Sequence, residues 1–164
     1  LEKQAKIVYL GIGSNLGNRI INIEKAKTKL SDNNIKIIKS SGYYESLSWP
    51  NPNNPKFYNI VLKVKTNLNV IRLLSICKNI ERSIGRKKAA KNSPRVCDID
   101  VIDYNNEFIT RGINVPHPRM HIRNFVLIPL FEIDKDWKHP KTKHHIKALI
   151  FSLSNSDISS IKKI

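Results

Sequence analysis

The sequence predicts an α+β fold, a ferredoxin-like βαββαβ antiparallel sheet with helices on one face and a C-terminal extension. Three observations lead there. Hydrophobic periodicity alternates between two residues and three to four residues in the order strand, helix, strand, strand, helix, strand. Clusters of Gly, Pro and Asn punctuate the changes. The chain has 164 residues, 40% of them hydrophobic and 26% charged, which is the composition of one globular domain. A domain of this size removes roughly 70% of its unfolded surface from water and needs neither disulfide nor structural metal.

Residues 6–12, KIVYLGI, are apolar and β-branched and run into Gly13, so they read as a buried strand ending in a tight turn. A helix follows, capped by Asn15 or Asn18, with Ile20, Ile23, Ala26 and Leu30 along one face. Residues 35–46, IKIIKSSGYYES, alternate loosely as a second strand, and 47–56, with three prolines and three asparagines, form a loop. Residues 57–66, FYNIVLKVKT, make the third strand. Asn69 caps a second helix whose Val70, Leu73, Leu74, Cys77, Ile80 and Ile84 form an apolar stripe, and Gly85 ends it. After a basic stretch at 86–95, residues 96–104 read as a fourth strand, turned by Asn105 and Asn106 into a fifth around Phe108. Residues 116–136 read as a loop with a short helix, and 143–153 as one more helix over the sheet. The Ser-rich SNSDISSIKK beyond Leu153 reads as a tail or linker. The expected division is a domain over 1–154 and a tail over 155–164, with no internal repeat.

The longest apolar runs, 60–62 and 125–128, fall far below the ~20 residues that cross a bilayer. Residues 1–6 are polar and show no secretory leader, so a cytoplasmic protein is expected. The start at Leu1 instead of Met suggests that a longer chain, with a second domain, has been cut. Lys and Arg number 29 against 13 Asp and Glu, a formal charge of +16. That balance suits an anionic partner, whether nucleic acid, an acidic membrane surface or a phosphorylated small molecule; an AT-rich genome explains the lysines equally well. Cys77 and Cys97 lack CxxC spacing and nearby histidines, and read as buried free thiols.

Chemistry concentrates around Cys97-Asp98-Ile99-Asp100-Val101-Ile102. On a strand, Asp98 and Asp100 share one face, with Cys97, Ile99 and Val101 on the other. Two carboxylates ~7 Å apart by Cα repel each other, and a hard divalent cation neutralises them. Mg²⁺ takes one or two carboxylates, waters and substrate phosphates, so the pair suits a nucleotide-bound magnesium; a solvent-facing polar stripe is the plainer alternative. Just upstream stand Arg82, Arg86, Lys87, Lys88, Lys91 and Arg95, with no acid among them. A basic loop feeding an acidic strand end fits a triphosphate held against Mg²⁺, although a charge run also serves simply as a solvated loop. His117, Arg119, His121 and Arg123 fall within a few residues of one another and again suit phosphate.

The segment Ser93-Pro94-Arg95-Val96-Cys97-Asp98-Ile99-Asp100-Val101-Ile102, preceded by Ile80-Glu81 and Gly85-Arg86, resembles the signature of the 6-hydroxymethyl-7,8-dihydropterin pyrophosphokinase family of folate biosynthesis. Residues 9–17 (YLGIGSNLG) resemble the family's opening strand and turn, Phe57-Tyr58-Asn59 its third strand, and Val115-Pro116-His117-Pro118-Arg119-Met120 with the following FVLIPLFEI its later segment. The resemblance runs from residue 7 to about 153. It implies transfer of pyrophosphate from ATP to the pterin's hydroxymethyl group with release of AMP. It further implies two Mg²⁺ ions on Asp98 and Asp100, and phosphate or ATP contacts at Arg86, Arg95, Val101, His117 and Arg123. Arg86 and Arg95 would act with the aspartates in catalysis, Arg86 from a mobile loop. For the pterin it implies stacking on Phe57 and Phe125, an edge read by Asn59, and main-chain contacts from Ser46 and Leu47. Glu81 matches a position near the site whose role the sequence does not supply. Ser93 stands where Gly or Ala is usual, Asn92 where many members have Trp, and Cys97 where Leu is common.

The implied partners are ATP and the dihydropterin, with neither nucleic acid nor membrane. Some relatives are fused to a second folate enzyme such as dihydropteroate synthase, which the non-Met start and linker-like end would fit. Two other classes remain open on residues alone. RNA-recognition modules share the βαββαβ order and would welcome the charge, although residues 56–64 lack their Gly-bearing aromatic signature and an Asp pair repels RNA. A nucleotidyltransferase of the polymerase-palm kind also sets paired aspartates on such a sheet, and would release pyrophosphate instead of AMP.

Overall fold

A computed structural model describes residues 4–164; of the expectation for 1–6, residues 1–3 lie outside the described residues. The elements run β1 (Lys6–Ser14), α1 (Arg19–Asp32), β2 (Lys36–Ser40), β3 (Tyr44–Ser46), β4 (Phe57–Thr66), α2 (Val70–Ile84), β5 (Asp98–Tyr104), a 3₁₀ turn (Met120–Ile122), α3 (Asn124–Ile133), α4 (Ile146–Phe151), α5 (Asn155–Ser160) and β6 (Lys162–Lys163). The sheet is antiparallel throughout, in the order β5-β1-β4-β3-β6, with β2 also paired to β4. β1 and β4 form its spine in unbroken register from Lys6↔Thr66 to Ser14↔Tyr58. No helix among the described residues is long and apolar enough to cross a membrane.

Local signals set the first helices. The Asn18 side chain accepts the Ile21 N–H at 3.1 Å and the Asn69 side chain accepts the Arg72 N–H at 2.9 Å, each replacing a bond the helix cannot make at its own N-terminus. Gly85 closes α2 with φ 120°, where a side chain is strained. Ile23, Ala26 and Leu30 from α1 and Leu73, Cys77 and Ile80 from α2 interlock with Val8, Leu10, Ile12, Ile60, Leu62 and Ile99 of the sheet. Ile20 is the exception, 43% exposed. Cys77 and Cys97 are free, buried thiols, and burial pushes both up to about 12.

Helices cover both faces of the sheet, not one. Tyr9, Val61 and Ile102 from the second face join Val126, Leu127, Leu130 and Ile133 of α3, Trp137, and Ile146 and Leu149 of α4. The expected second strand is two strands, because the pairing shifts by one residue between Ser40↔Leu62 and Tyr44↔Asn59. Ser41 still faces Val61, its N–H donating to the Val61 carbonyl and its Oγ accepting the Val61 N–H, both at 2.9 Å; the extra residue falls between it and Tyr44 and moves later side chains to the opposite face. No fifth strand forms around Phe108: Asn105 and Asn106 turn the chain with positive φ, but only an isolated bridge, Ile109↔Val115, follows. Residues 155–164, expected as a tail or linker, form α5 and β6, and β6 pairs with β3.

Candidate active site

The site lies where the sheet's second face runs out from under α3. A bulge in β5 decides which residues reach it. Tyr9 pairs with Asp103 but Leu10 with Val101, leaving Ile102 as the extra residue. Before the bulge, Asp98 and Asp100 share the face of Ile102, while Ile99 and Val101 point into the α1/α2 core. Beyond it Asp103 turns to the second face, where its carboxylate accepts the Trp137 indole N–H at 2.8 Å.

Across the strands, Asn59, Gly13 and Asp98 form one row, and Val61, Gly11 and Asp100 the next. The two glycines make a floor without side chains between β4 and β5. A Cβ on Gly13 would stand 2.8 Å from Asn59 Oδ1 and 3.3 Å from Phe57, so glycine is what lets those side chains lie over β1. Gly13 was expected in a tight turn; it is inside the strand, and this close approach is its role.

The cleft over this floor is lined by Ser46, Leu47, Phe57, Asn59, Asn92, Arg95, Asp98, Asp100, Arg123 and Phe125. Each aromatic wall carries an arginine: Arg95 lies over the Phe57 ring at 5.1 Å, and Arg123 over Phe125 at 5.4 Å. The Asn59 amide donates to Ser46 Oγ at 2.8 Å, linking β4 to the end of β3 and leaving its carbonyl oxygen toward Gly13. Leu47 is half-exposed at the rim.

The two aspartates differ sharply. Arg86 holds Asp98 Oδ1 at 2.8 Å and Arg95 holds Oδ2 at 2.7 Å. Burial works to raise its pKa, but these two guanidiniums win and hold it below the usual carboxylate range. Asp100 has among the described residues only Arg123, at 3.8 Å. Burial, and then the negative charge of Asp98, push it up to about 6. Arg95 Nε is buried with no hydrogen-bond partner among the described residues, an uncompensated donor at the cleft. The arrangement sets a cluster of guanidiniums beside one neutralised and one under-neutralised carboxylate.

Glu81 acquires a role that its position in a helical stripe did not reveal. Its carboxylate, 2% exposed, accepts the Ile99 N–H at 2.7 Å and holds Arg86 at 2.8 Å and Lys78 at 3.0 Å. It ties α2 to the start of β5 and aims Arg86 at Asp98. Asn15 does similar work from the other side, accepting the Arg95 N–H at 2.8 Å and donating to the Pro55 carbonyl at 3.0 Å.

Not every expected residue reaches the cleft. The Val101 side chain is buried in the α1/α2 core and does not line it. His117 lines a separate depression with His121, His139 and Lys141. Burial, followed by the charges of Arg123 and Arg119, pushes its pKa down to about 4. It is therefore neutral at pH 7, and because Nδ1 accepts the Arg119 N–H at 3.1 Å, its proton sits on Nε2. Lys87 and Lys88 are exposed on the loop. Trp49, by contrast, does line the cleft, half-exposed with Arg119 over its ring at 4.5 Å.

Residues 9–135 match the family model described as 7,8-dihydro-6-hydroxymethylpterin-pyrophosphokinase. A 2-amino-4-hydroxy-6-hydroxymethyldihydropteridine pyrophosphokinase of Aquifex aeolicus is 43% identical over 141 residues, covering 85% of this chain and 88% of that protein. The folic acid synthesis protein fol1 of Pneumocystis carinii is 39% identical over 155 residues, covering 94% of this chain but 21% of the relative, so the chain spans about a fifth of that protein's length. Among solved structures, an HPPK-DHPS in complex with substrates superposes with a TM-score of 0.74 at 17% identity, over 96% of this chain and 46% of the other. That likeness concerns the fold.

Proposed function

The chain belongs to the 7,8-dihydro-6-hydroxymethylpterin-pyrophosphokinase family, and from that premise we propose that its cleft transfers pyrophosphate from ATP to 6-hydroxymethyl-7,8-dihydropterin, releasing AMP. The observation that carries the reading is the meeting, over one glycine floor, of a flat aromatic slot and a carboxylate pair set among arginines. The pterin lies between Phe57 and Phe125, with Asn59 and the main chain of Ser46 and Leu47 toward its hydrogen-bonding edge. The triphosphate lies along Arg86, Arg95 and Arg123, with the unpartnered Arg95 Nε among the donors that receive it. His117, outside the cleft, offers its Nε2–H to the nucleotide's outer end. Val101, its side chain in the α1/α2 core, has only its main chain to offer ATP.

The donor set fits Mg²⁺. Two carboxylates on one strand face, one of them with a single weak cation partner, are what a hard ion takes when phosphates and waters complete its shell. Asp98 and Asp100 would hold two such ions, which supply charge neutralisation at the phosphates. The chain's own residues do the rest. Arg86 and Arg95 leave Asp98 as phosphate oxygens replace it as their partner. The walls hold the pterin hydroxyl in line with the β-phosphorus. A bond forms from that oxygen to the β-phosphorus as the bond to the α,β-bridging oxygen breaks, and the hydroxyl proton is released.

We read the β5-β1-β4-β3 order as a ferredoxin-like sheet whose second strand is broken in two, and the segment after β5 as its extension. The catalytic unit on this reading continues through β6, with any fused folate enzyme, such as a dihydropteroate synthase, beginning beyond it. Free buried thiols support a cytoplasmic setting.

Incubation with ATP, Mg²⁺ and the dihydropterin, with chromatography of the nucleotide products, tests the reading. AMP is expected only when all three are present. ADP, pyrophosphate or no turnover would overturn it.

A further inference from the structure

We propose that α5 and β6 form a strap that sets the spacing of the pterin slot's two walls, with Asn124 as its clasp. The inference rests on the pterin reading of the cleft given above.

One wall, Phe57, is paired with Ser46 at the end of β3, and Leu47 follows at the rim. The other is the first turn of α3, Phe125 with Arg123 just ahead of it. β3 is only three residues long, and without β6 its outer side would be a bare sheet edge. β6 covers that edge with the pairs Tyr44↔Lys163 and Glu45↔Lys162, extended by an Ile164 N–H bond to the Tyr43 carbonyl at 2.9 Å.

The same segment grips α3 at both ends. Near the C-terminal end of the helix, Glu132 takes the Lys163 ammonium at 3.1 Å, the Gly42 N–H at 3.1 Å and the Tyr44 hydroxyl. At the N-terminal end, the Asn124 amide donates to the Asp157 carbonyl at 2.6 Å and to Ser160 Oγ at 3.1 Å. Asn124 stands between Arg123 and Phe125 in sequence, and α3 has no side-chain cap of its own. Asn124 is the first residue of the helix, one past the capping position, and its side chain is committed to α5. Asp157 and Ser160 also line a depression shared with Leu47, Trp49, Arg123 and Phe125, four residues that also line the cleft. Asn124 is therefore a positioning residue, acting on the pterin through its two neighbours.

The test uses the full chain with Asn124→Ala and, separately, Ile164→Pro, which removes the Tyr43 bond from an exposed end and leaves the core untouched. Steady-state kinetics for both substrates are combined with pterin binding by fluorescence and with thermal melts. Loss of one or two such hydrogen bonds predicts a pterin KM and Kd raised ~5–10-fold, with kcat at saturation and the ATP KM within ~2-fold of wild type. An unchanged pterin KM in both variants overturns the strap. So does a parallel loss of kcat and of both KM values in step with melting temperature, which marks a merely structural role. Absence of AMP from the wild-type control overturns the pterin reading itself, and the strap falls with it.

Discussion

The two faces of the sheet are built on different terms. Under α1 and α2 the packing is continuous from Val8 to Ile99 and contains, among its buried charges, one carboxylate with three partners, Glu81. Under α3 and α4 it starts the same way, with Tyr9, Val61 and Ile102 against Leu127 and Leu130. It then stops short. Beyond the last turn of overlap the same strands present Gly11, Gly13, Asn59, Asp98 and Asp100. One face is closed along its length, and the other is open at one end over a carboxylate pair, where the proposed site lies.

The strongest way to break that contrast is within β5 itself. Asp98→Ala or Asp100→Ala should lower kcat/KM at least ~100-fold, by about 2.7 kcal/mol or more of transition-state stabilisation. Ile99→Val, one residue away and facing α2, should cost about 1 kcal/mol of stability and leave turnover unaffected. Equal effects on activity from both kinds of substitution would show that the faces are not functionally distinct.

Cavities placed on either side sharpen it further. Leu73→Ala under α2 and Leu127→Ala under α3 remove fully buried side chains, and each should cost about 3 kcal/mol in denaturant unfolding. Their kinetics should differ. The Leu127 variant loosens the helix that carries Phe125 and should raise the pterin KM, whereas the Leu73 variant should not.

The closed face was the more legible. Asn69, the stripe from Val70 to Ile84 and Gly85 announce α2 within the chain itself, and the 57–66 alternation matches β4 residue for residue. The open face depends on pairings that local periodicity does not carry. The bulge at Ile102 and the register shift after Ser41 insert single residues, so a strict period of two misplaces whatever follows. The helices of the second face are short, and α3, which carries Pro129 within it, lacks an amphipathic stripe because it is apolar nearly all round. Serine-rich composition hid β6, whose pairing is made entirely by main chain. In the site, the Asp98/Asp100 pair and the arginines were visible as charge patterns. The resemblance marked Glu81 and the segment holding Gly11 and Gly13, but their roles, a buried tie between α2 and β5 and a floor without side chains, rest on pairings that the sequence does not show.

A smaller effect probes the slot. Phe125→Ala removes one aromatic wall and the surface under Arg123. Loss of stacking predicts a pterin affinity ~10-fold weaker, about 1.4 kcal/mol, with ATP affinity changed less. Equal weakening for both substrates would move Phe125 from the pterin to the phosphate side.

The smallest expected effect concerns what the open face costs. Asp100 is pushed up to about 6 in the folded chain, against an ordinary carboxylate value of roughly 3.9 when unfolded. Between those values the folded state binds the proton that the unfolded state has lost, so stability falls as pH rises through the window and stays lower above it. Asp100→Asn keeps the shape and removes the charge. It should therefore stabilise the protein by ~1 kcal/mol at pH 7.5, the figure being reduced for solvent screening of a carboxylate 36% exposed. At pH 4, where the native carboxyl is already protonated, the gain should nearly vanish. Paired melts at the two pH values measure the difference. A variant that is inactive yet more stable only at the higher pH would show that the ligand-free enzyme holds its second carboxylate against its own folding free energy; equal stability at both would mean Arg123 already neutralises it.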